Sequence, residues 1–124
     1  MSEDTVEKSQ DYLLLQKVFD MINYAYPALQ QYPKSEKFSL VQDIKLEMNE
    51  MLRLTIAARK KYFKKTTLQD LDIHIATLKA FVRLSFDLKF LPMRKYEIWS
   101  GKIVEIGKMV GGWIKTVNEK AAQS

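Results

Sequence analysis

Few residues in this chain could carry out chemistry, and their spacing narrows the options further. The one histidine, His74, stands four residues after Asp70. On a helix the two would share a face, where they could hold a metal or form a surface hydrogen bond. A metal inside a helical bundle calls for inward carboxylates and Glu-x-x-His pairs, and no Glu-x-x-His occurs here. The hydrogen bond is therefore the expectation. A Ser-His-Asp arrangement could form only around the same histidine, and no serine lies in a nucleophile motif. Cysteine is absent, which excludes disulfides, thiolate catalysis and Cys-based metal sites. The four glycines, at 101, 107, 111 and 112, form no phosphate-binding loop. The expectation is a protein that is not an enzyme and carries no metal or cofactor.

Residues suited to binding are more plentiful. Arg53, Arg59, Lys60, Lys61, Lys64 and Lys65 fall within thirteen residues that contain no acid. Tyr62 and Phe63 sit among them, placed either to stack on bases or to pin a helix end to the core. Cations near a helix C-terminus are favoured by the helix dipole, which accounts for part of the cluster. Arg94 and Lys95 stand where a helix begins, and there the dipole disfavours them. The charge is also uneven along the chain. Residues 1–50 carry a net of −4 and residues 51–124 a net of +9. An anionic partner for the second half follows: nucleic acid, a membrane surface or an acidic protein.

The elements that position these residues are four. Tyr32-Pro33 and Leu91-Pro92 each steer the residue before proline away from helical geometry. Lys64-Lys65-Thr66-Thr67 breaks the apolar periodicity between them. The first segment runs from about Ser9 to Gln31, with Tyr12, Leu15, Phe19, Ile22 and Tyr26 as its core face. Pro27 either kinks or stops it. The second starts near Ser35 as N-cap and buries Phe38, Val41, Ile44, Met48, Leu52 and Ile56. The third opens on Thr67-Leu-Gln-Asp70, a capping-box variant, and continues through Leu71, Ile75, Leu78, Val82 and Phe86. The fourth follows Pro92 with Trp99, Ile103, Ile106, Val110 and Ile114.

Four amphipathic helices with short connections make an all-α, antiparallel up-and-down four-helix bundle in a single domain over residues 1–124. Residues 1–8 and 120–124 are expected to be disordered tails. This topology puts Arg59 to Lys65 at one end, and Arg94-Lys95 with Lys34 and Lys37 at the other. Two basic poles suit a long polyanion better than a small ligand.

Helices three and four carry surplus apolar residues: Phe81, Leu84, Leu88, Phe90, Ile98, Met109 and Trp113. A compact bundle could absorb them, but burial against neighbouring subunits is favoured. Gly107 and Gly111 stand in a helix interior, where each destabilises by roughly 0.5–1 kcal/mol relative to alanine. Close approach of another backbone would explain them, within the bundle or across a subunit contact. Gly107, Gly111 and Trp113 are thus the candidate oligomer contacts. Termination at Gly111-Gly112 is the alternative, disfavoured because Ile103, Ile106, Val110 and Ile114 stay in phase across it.

Longer stretches of the sequence are familiar. Tyr24-Ala-Tyr-Pro-Ala-Leu with Tyr32-Pro-Lys-Ser-Glu-Lys-Phe resembles the broad four-helix-bundle family that includes proteins encoded in bacterial ribosomal RNA intervening sequences. Three further stretches are Arg59-Lys-Lys-Tyr-Phe-Lys-Lys-Thr-Thr-Leu-Gln-Asp-Leu-Asp, Leu91-Pro-Met-Arg-Lys-Tyr-Glu-Ile-Trp and Glu105-Ile-Gly-Lys-Met-Val-Gly-Gly-Trp-Ile. With them the chain resembles, from about residue 12 to 120, the accessory variability determinant (Avd) proteins of diversity-generating retroelements.

The resemblance implies a pentameric barrel of four-helix protomers with a basic surface. It also implies association with a reverse transcriptase and with nucleic acid, template RNA first and DNA second, in support of adenine-mutagenised cDNA synthesis. Carried over by position, Arg59, Lys60, Lys61, Lys64, Lys65, Arg83, Arg94 and Lys95 are the candidates for contact with nucleic acid or polymerase. Arg83, alone among apolar neighbours, would line a barrel interior or form a subunit ion pair.

The alternative is a protein-interaction module of the intervening-sequence type with no reverse transcriptase partner. Peripheral membrane binding is disfavoured because the basic residues cluster at helix ends. The start at Met1-Ser-Glu-Asp is acidic where a signal peptide is basic, and no apolar run nears the roughly 20 residues that span a bilayer. A cytoplasmic protein is expected.

Overall fold

In a computed structural model, residues 3–123 are described, with side chains from Gln10 onward. Four helices account for nearly all of them: α1 (Glu3–Leu29), α2 (Leu40–Lys60), α3 (Lys65–Asp87) and α4 (Met93–Gln123). A single 3-10 turn, Lys34–Glu36, leads into α2. Helix therefore continues across much of the expected tails. Met1, Ser2 and Ser124 lie outside the described residues.

Each helix packs on the two beside it, in the cyclic order α1, α2, α3, α4. Short connections and side-chain pairs set neighbouring helices antiparallel. Along α1 and α2, Asp11 meets Arg59 while Tyr26 lies under Lys45. His74 meets Glu47 between α3 and α2, and Lys17 meets Glu105 between α1 and α4. The expected up-and-down bundle is thus the observed architecture.

The core holds Leu14, Val18, Met21 and Ala25 from α1 and Ile44, Met48, Met51 and Ala58 from α2. Leu68, Leu71, Leu78 and Val82 come from α3, and Trp99, Ile103, Ile106 and Val110 from α4. Trp99 is fully buried, and its indole N–H donates to the Met21 sulfur at 3.3 Å, a weak acceptor that nonetheless satisfies the ring. The buried hydroxyls of Thr55 and Ser85 are satisfied along their own helices, Thr55 donating to the Met51 carbonyl and Ser85 to that of Phe81.

The α1 core face differs from the expected one. Tyr12, Phe19 and Tyr26 are exposed, with Leu15 and Ile22 half-buried. The helix carries two apolar stripes, and only the one through Leu14, Val18, Met21 and Ala25 points inward. Periodicity finds a stripe but cannot say which of two meets the core. In the same way Phe38 and Ile56 lie outside the α2 core, whose place is taken by Leu40, Met51 and Leu54.

Expected caps also move. Ser35 falls in the 3-10 turn, and Ser39 stands at the α2 N-cap, its hydroxyl donating to Glu36 rather than to the helix. Lys64 precedes α3, so Thr67 lies inside the first turn, buried, and the capping box does not form. Pro27 sits in the last turn of α1, two residues before its end.

At the other end of α3, Lys89 takes a left-handed conformation with φ 66°. Phe90 N–H donates to Ser85 and Lys89 N–H to Phe86, the paired bonds of a Schellman motif with lysine at the position glycine favours. That turn sets the entry into α4 through Leu91 and Pro92.

Helix α4 runs unbroken through Gly111-Gly112, as its phase requires. The reason expected for its glycines is absent inside the protomer. A Cβ on Gly107 would meet only Ile75 Cγ2 at 3.6 Å, an ordinary contact, and one on Gly111 or Gly112 would meet nothing within 4 Å. No neighbouring backbone within the bundle approaches these positions.

Candidate nucleic-acid interface

Antiparallel packing gathers the basic residues at two poles. The end of α2, the start of α3, the early part of α1 and the late part of α4 make the first pole, which holds Arg59, Lys60, Lys61, Lys64 and Lys65. The start of α4, the end of α3 and the approach to α2 make the second, which holds Lys34, Lys37, Lys89, Arg94 and Lys95. The stacked rings of Phe86 and Tyr96 (centroids 4.6 Å apart) and the tilted pair Tyr32–Phe90 (5.8 Å) fasten it. Helix α2 spans 21 residues, about 31 Å at 1.5 Å per residue, and that is roughly the distance between poles.

The charges of the first pole divide into engaged and unengaged. Arg59 Nε donates to Asp11 Oδ1 at 3.2 Å, and its guanidinium lies over the Tyr12 ring. Asp11 is buried, so this pair ties α2 to α1. Lys64 Nζ donates to the carbonyls of Ala58 at 2.5 Å and Lys61 at 2.6 Å, closing the C-terminus of α2, and lies 5.8 Å from the Trp113 ring centroid. Lys61 Nζ donates to the Thr67 hydroxyl at 3.1 Å. Lys60 and Lys65 are exposed and have no ion pair or side-chain hydrogen bond among the described residues. At the second pole Arg94, exposed, and Lys95, half-buried, are likewise without such a partner among the described residues. Positive potential available to a ligand is thus carried by Lys60 and Lys65 at the first pole and by Lys34, Lys89, Arg94 and Lys95 at the second.

Between them stand aromatic rings in solvent. Tyr62 is 89% exposed and Phe63 85%, packed edge to face on each other with centroids 4.9 Å apart. They do not pin the helix end to the core. Phe38, 81% exposed, marks the second pole, with the Lys37 ammonium 5.4 Å from its centroid.

Other candidates fall elsewhere. Arg83 is outward-facing and pairs with Asp87 one turn on, at 3.0 Å, and the carboxylate beside it raises the guanidinium pKa. Its ion pair is within one helix, so the subunit pair expected of it is not needed to satisfy the charge. Arg53 likewise pairs with Glu50, whose pKa that guanidinium lowers. His74 Nδ1 meets Glu47 Oε2 at 2.5 Å, across to α2, and not Asp70 as its spacing suggests. Among the described residues no three potential metal ligands gather.

Trp113 is 6% exposed and packs inside its own protomer. It borders a half-open cleft of about 280 Å³ with Gln10, Asp11, Leu14, Met109, Gly112 and Thr116.

Comparison with known proteins decides the family. The bAvd-like family model matches residues 12–117, nearly the whole helical body. The chain belongs to the bAvd-like family. That family is of an accessory, non-catalytic kind. No curated protein matches the chain. Among the described residues, no helix of this bAvd-like protein is long and apolar enough to cross a membrane.

Proposed function

We propose that this bAvd-like protein is a non-enzymatic accessory subunit of a diversity-generating retroelement, which binds the reverse transcriptase and template RNA and thereby supports mutagenic cDNA synthesis. The observation that carries the reading is the pair of basic poles at opposite ends of one rigid bundle, each with unengaged cations. One protomer can then touch an extended polyanion at two places, or hold RNA at one pole and a polymerase at the other. Phosphate neutralisation supplies affinity without demanding a base sequence.

Self-association belongs to the same reading. Tyr12, Phe19 and Tyr26 on α1, with Leu84 on α3, Leu88 just after it and Ile98 on α4, leave apolar area outside the core that a second protomer would cover. A pentameric barrel is the form the family implies, with Gly111 on an open face of α4. The working compartment is the cytoplasm, where retroelement RNA is transcribed and copied.

Co-expression with the neighbouring reverse transcriptase and its template RNA tests the proposal. Co-purification of all three is the expected result. A protein that purifies without polymerase and without RNA would point to a protein-interaction module of the intervening-sequence type.

A further inference from the structure

The three most exposed large apolar side chains of the described residues are Tyr62, Phe63 and Phe38. All are aromatic, and all stand at the basic poles rather than on the helix faces. Leaving such rings in water forgoes the stabilisation that burial would bring, and short turns accommodate polar residues without that loss. Tyr62 and Phe63 occupy the turn between α2 and α3, flanked by Lys60 and Lys61 on one side and Lys64 and Lys65 on the other. Their rings hold each other at 90° and otherwise stand in solvent, so each keeps a face open.

Resting on the nucleic-acid reading above, we propose that Tyr62 and Phe63, with Lys60 and Lys65, form a stacking site for unpaired bases. The first pole would then select single-stranded over double-stranded nucleic acid. Lysines attract any phosphate backbone and cannot tell the two apart. Aromatic rings can, because the π faces of bases in a duplex are already covered by their neighbours, whereas those of a single strand are free. The arrangement is a cationic track interrupted by stacking platforms, and Phe38 beside Lys37 repeats it on a smaller scale at the other end. A bilayer fits the geometry less well. The poles face opposite ways about 31 Å apart, and one flat surface could cover only one of them.

The test compares two double variants of the full chain. Tyr62→Ala with Phe63→Ala removes the rings; Lys60→Gln with Lys65→Gln removes charge. Binding of each to an unstructured oligouridine and to an RNA duplex of equal phosphate number is measured across a salt series. The alanine pair should weaken oligouridine binding by roughly 5- to 150-fold for each base it stacks, with an unchanged salt slope and duplex affinity unmoved. Replacing both rings by Trp should retain single-strand affinity. The glutamine pair should flatten the salt slope on both ligands.

Equal loss on duplex and single strand, or no loss on either, overturns the proposal. So does an alanine pair that changes oligomer size, which assigns the rings to a subunit contact, or one that loses only binding to anionic phosphatidylserine vesicles. Both ring residues are exposed, so the helical spectrum should persist and certify each comparison. If the parent chain binds neither RNA, the nucleic-acid reading itself has failed. If it binds and the alanine pair binds equally well, only the stacking site has.

Discussion

A buried hydroxyl without a partner is the sharpest local conflict in the molecule. Tyr32 is buried at the second pole, and its phenol makes no hydrogen bond, while the neighbouring Ser85 hydroxyl donates to Phe81 instead. Burial pushes the phenol pKa above its usual range. An unmade hydrogen bond of this kind costs about 1–3 kcal/mol. Tyr32→Phe should therefore leave stability unchanged or raise it by about 1 kcal/mol in urea unfolding at neutral pH. The sign of the pH effect follows from the raised pKa. The unfolded chain ionises near pH 10 while the folded one resists, so the parent loses stability as pH rises past that value. The variant lacks this phenol, and its advantage should widen between neutral pH and pH 11.

The same scale separates the lysines and arginines. Arg59→Gln leaves the buried Asp11 carboxylate without its cation and should lower stability by about 1–2 kcal/mol, the solvent reaching Arg59 moderating the loss. Lys60→Gln with Lys65→Gln should leave the melting temperature within a degree or two while weakening RNA binding. A triple change of Arg59, Lys60 and Lys61 would mix the two effects. Only the charge-only pair isolates the interface.

Among the elements, one helix end and one helix face carry predictions. Lys89 holds a left-handed conformation that disfavours a Cβ by about 1–2 kcal/mol, and glycine relieves it at some entropic loss. Lys89→Gly should stabilise by about 0.5–1 kcal/mol, read by urea unfolding. In α4, Gly111 faces open space within the protomer, so Gly111→Ala should stabilise the helix by about 0.5–1 kcal/mol. Gly111→Leu should then leave the protomer folded but shrink the oligomer in light scattering. An assembly of unchanged size would show that no subunit packs there.

What the sequence made legible at this scale was the number, order and polarity of the helices, because four stripes at helical spacing separated by proline and a polar break leave little choice. The inward face of α1 was not legible. Its stripe through Tyr12, Phe19 and Tyr26 is the more hydrophobic to the eye, yet smaller Ala25 and Ala28 mark where helices approach. Nor could Lys89 signal its own turn, since lysine carries no left-handed preference. The basic segment was plain in the sequence, but which of its cations are engaged depends on Asp11, Thr67 and Trp113, which only folding brings near.

For the whole molecule, charge and apolar area act together. A chain of formal charge +5 that self-associates adds its poles side by side, so binding should be steep in salt. Log affinity for single-stranded RNA should fall with log salt at about −0.7 per phosphate neutralised, and a slope of only one or two would mean that protomers bind independently. Light scattering at micromolar concentration should return a mass well above 14.5 kDa. A monomer would leave the outer stripe of α1 as bare surface.

The two tryptophans give the protein separate optical voices. Trp99 is sealed in the core against the Met21 sulfur, and Trp113 lies at the first pole with the Lys64 ammonium near its face. Emission from Trp99 should change only when the bundle melts. Trp113, only 6% exposed, is closed to contact quenchers but lies in the field of the cationic pole through the Lys64 ammonium, so bound RNA should shift its emission. Trp99→Phe thus yields a chain whose intrinsic fluorescence reports occupancy of one pole, and Trp113→Phe a chain whose fluorescence reports folding alone.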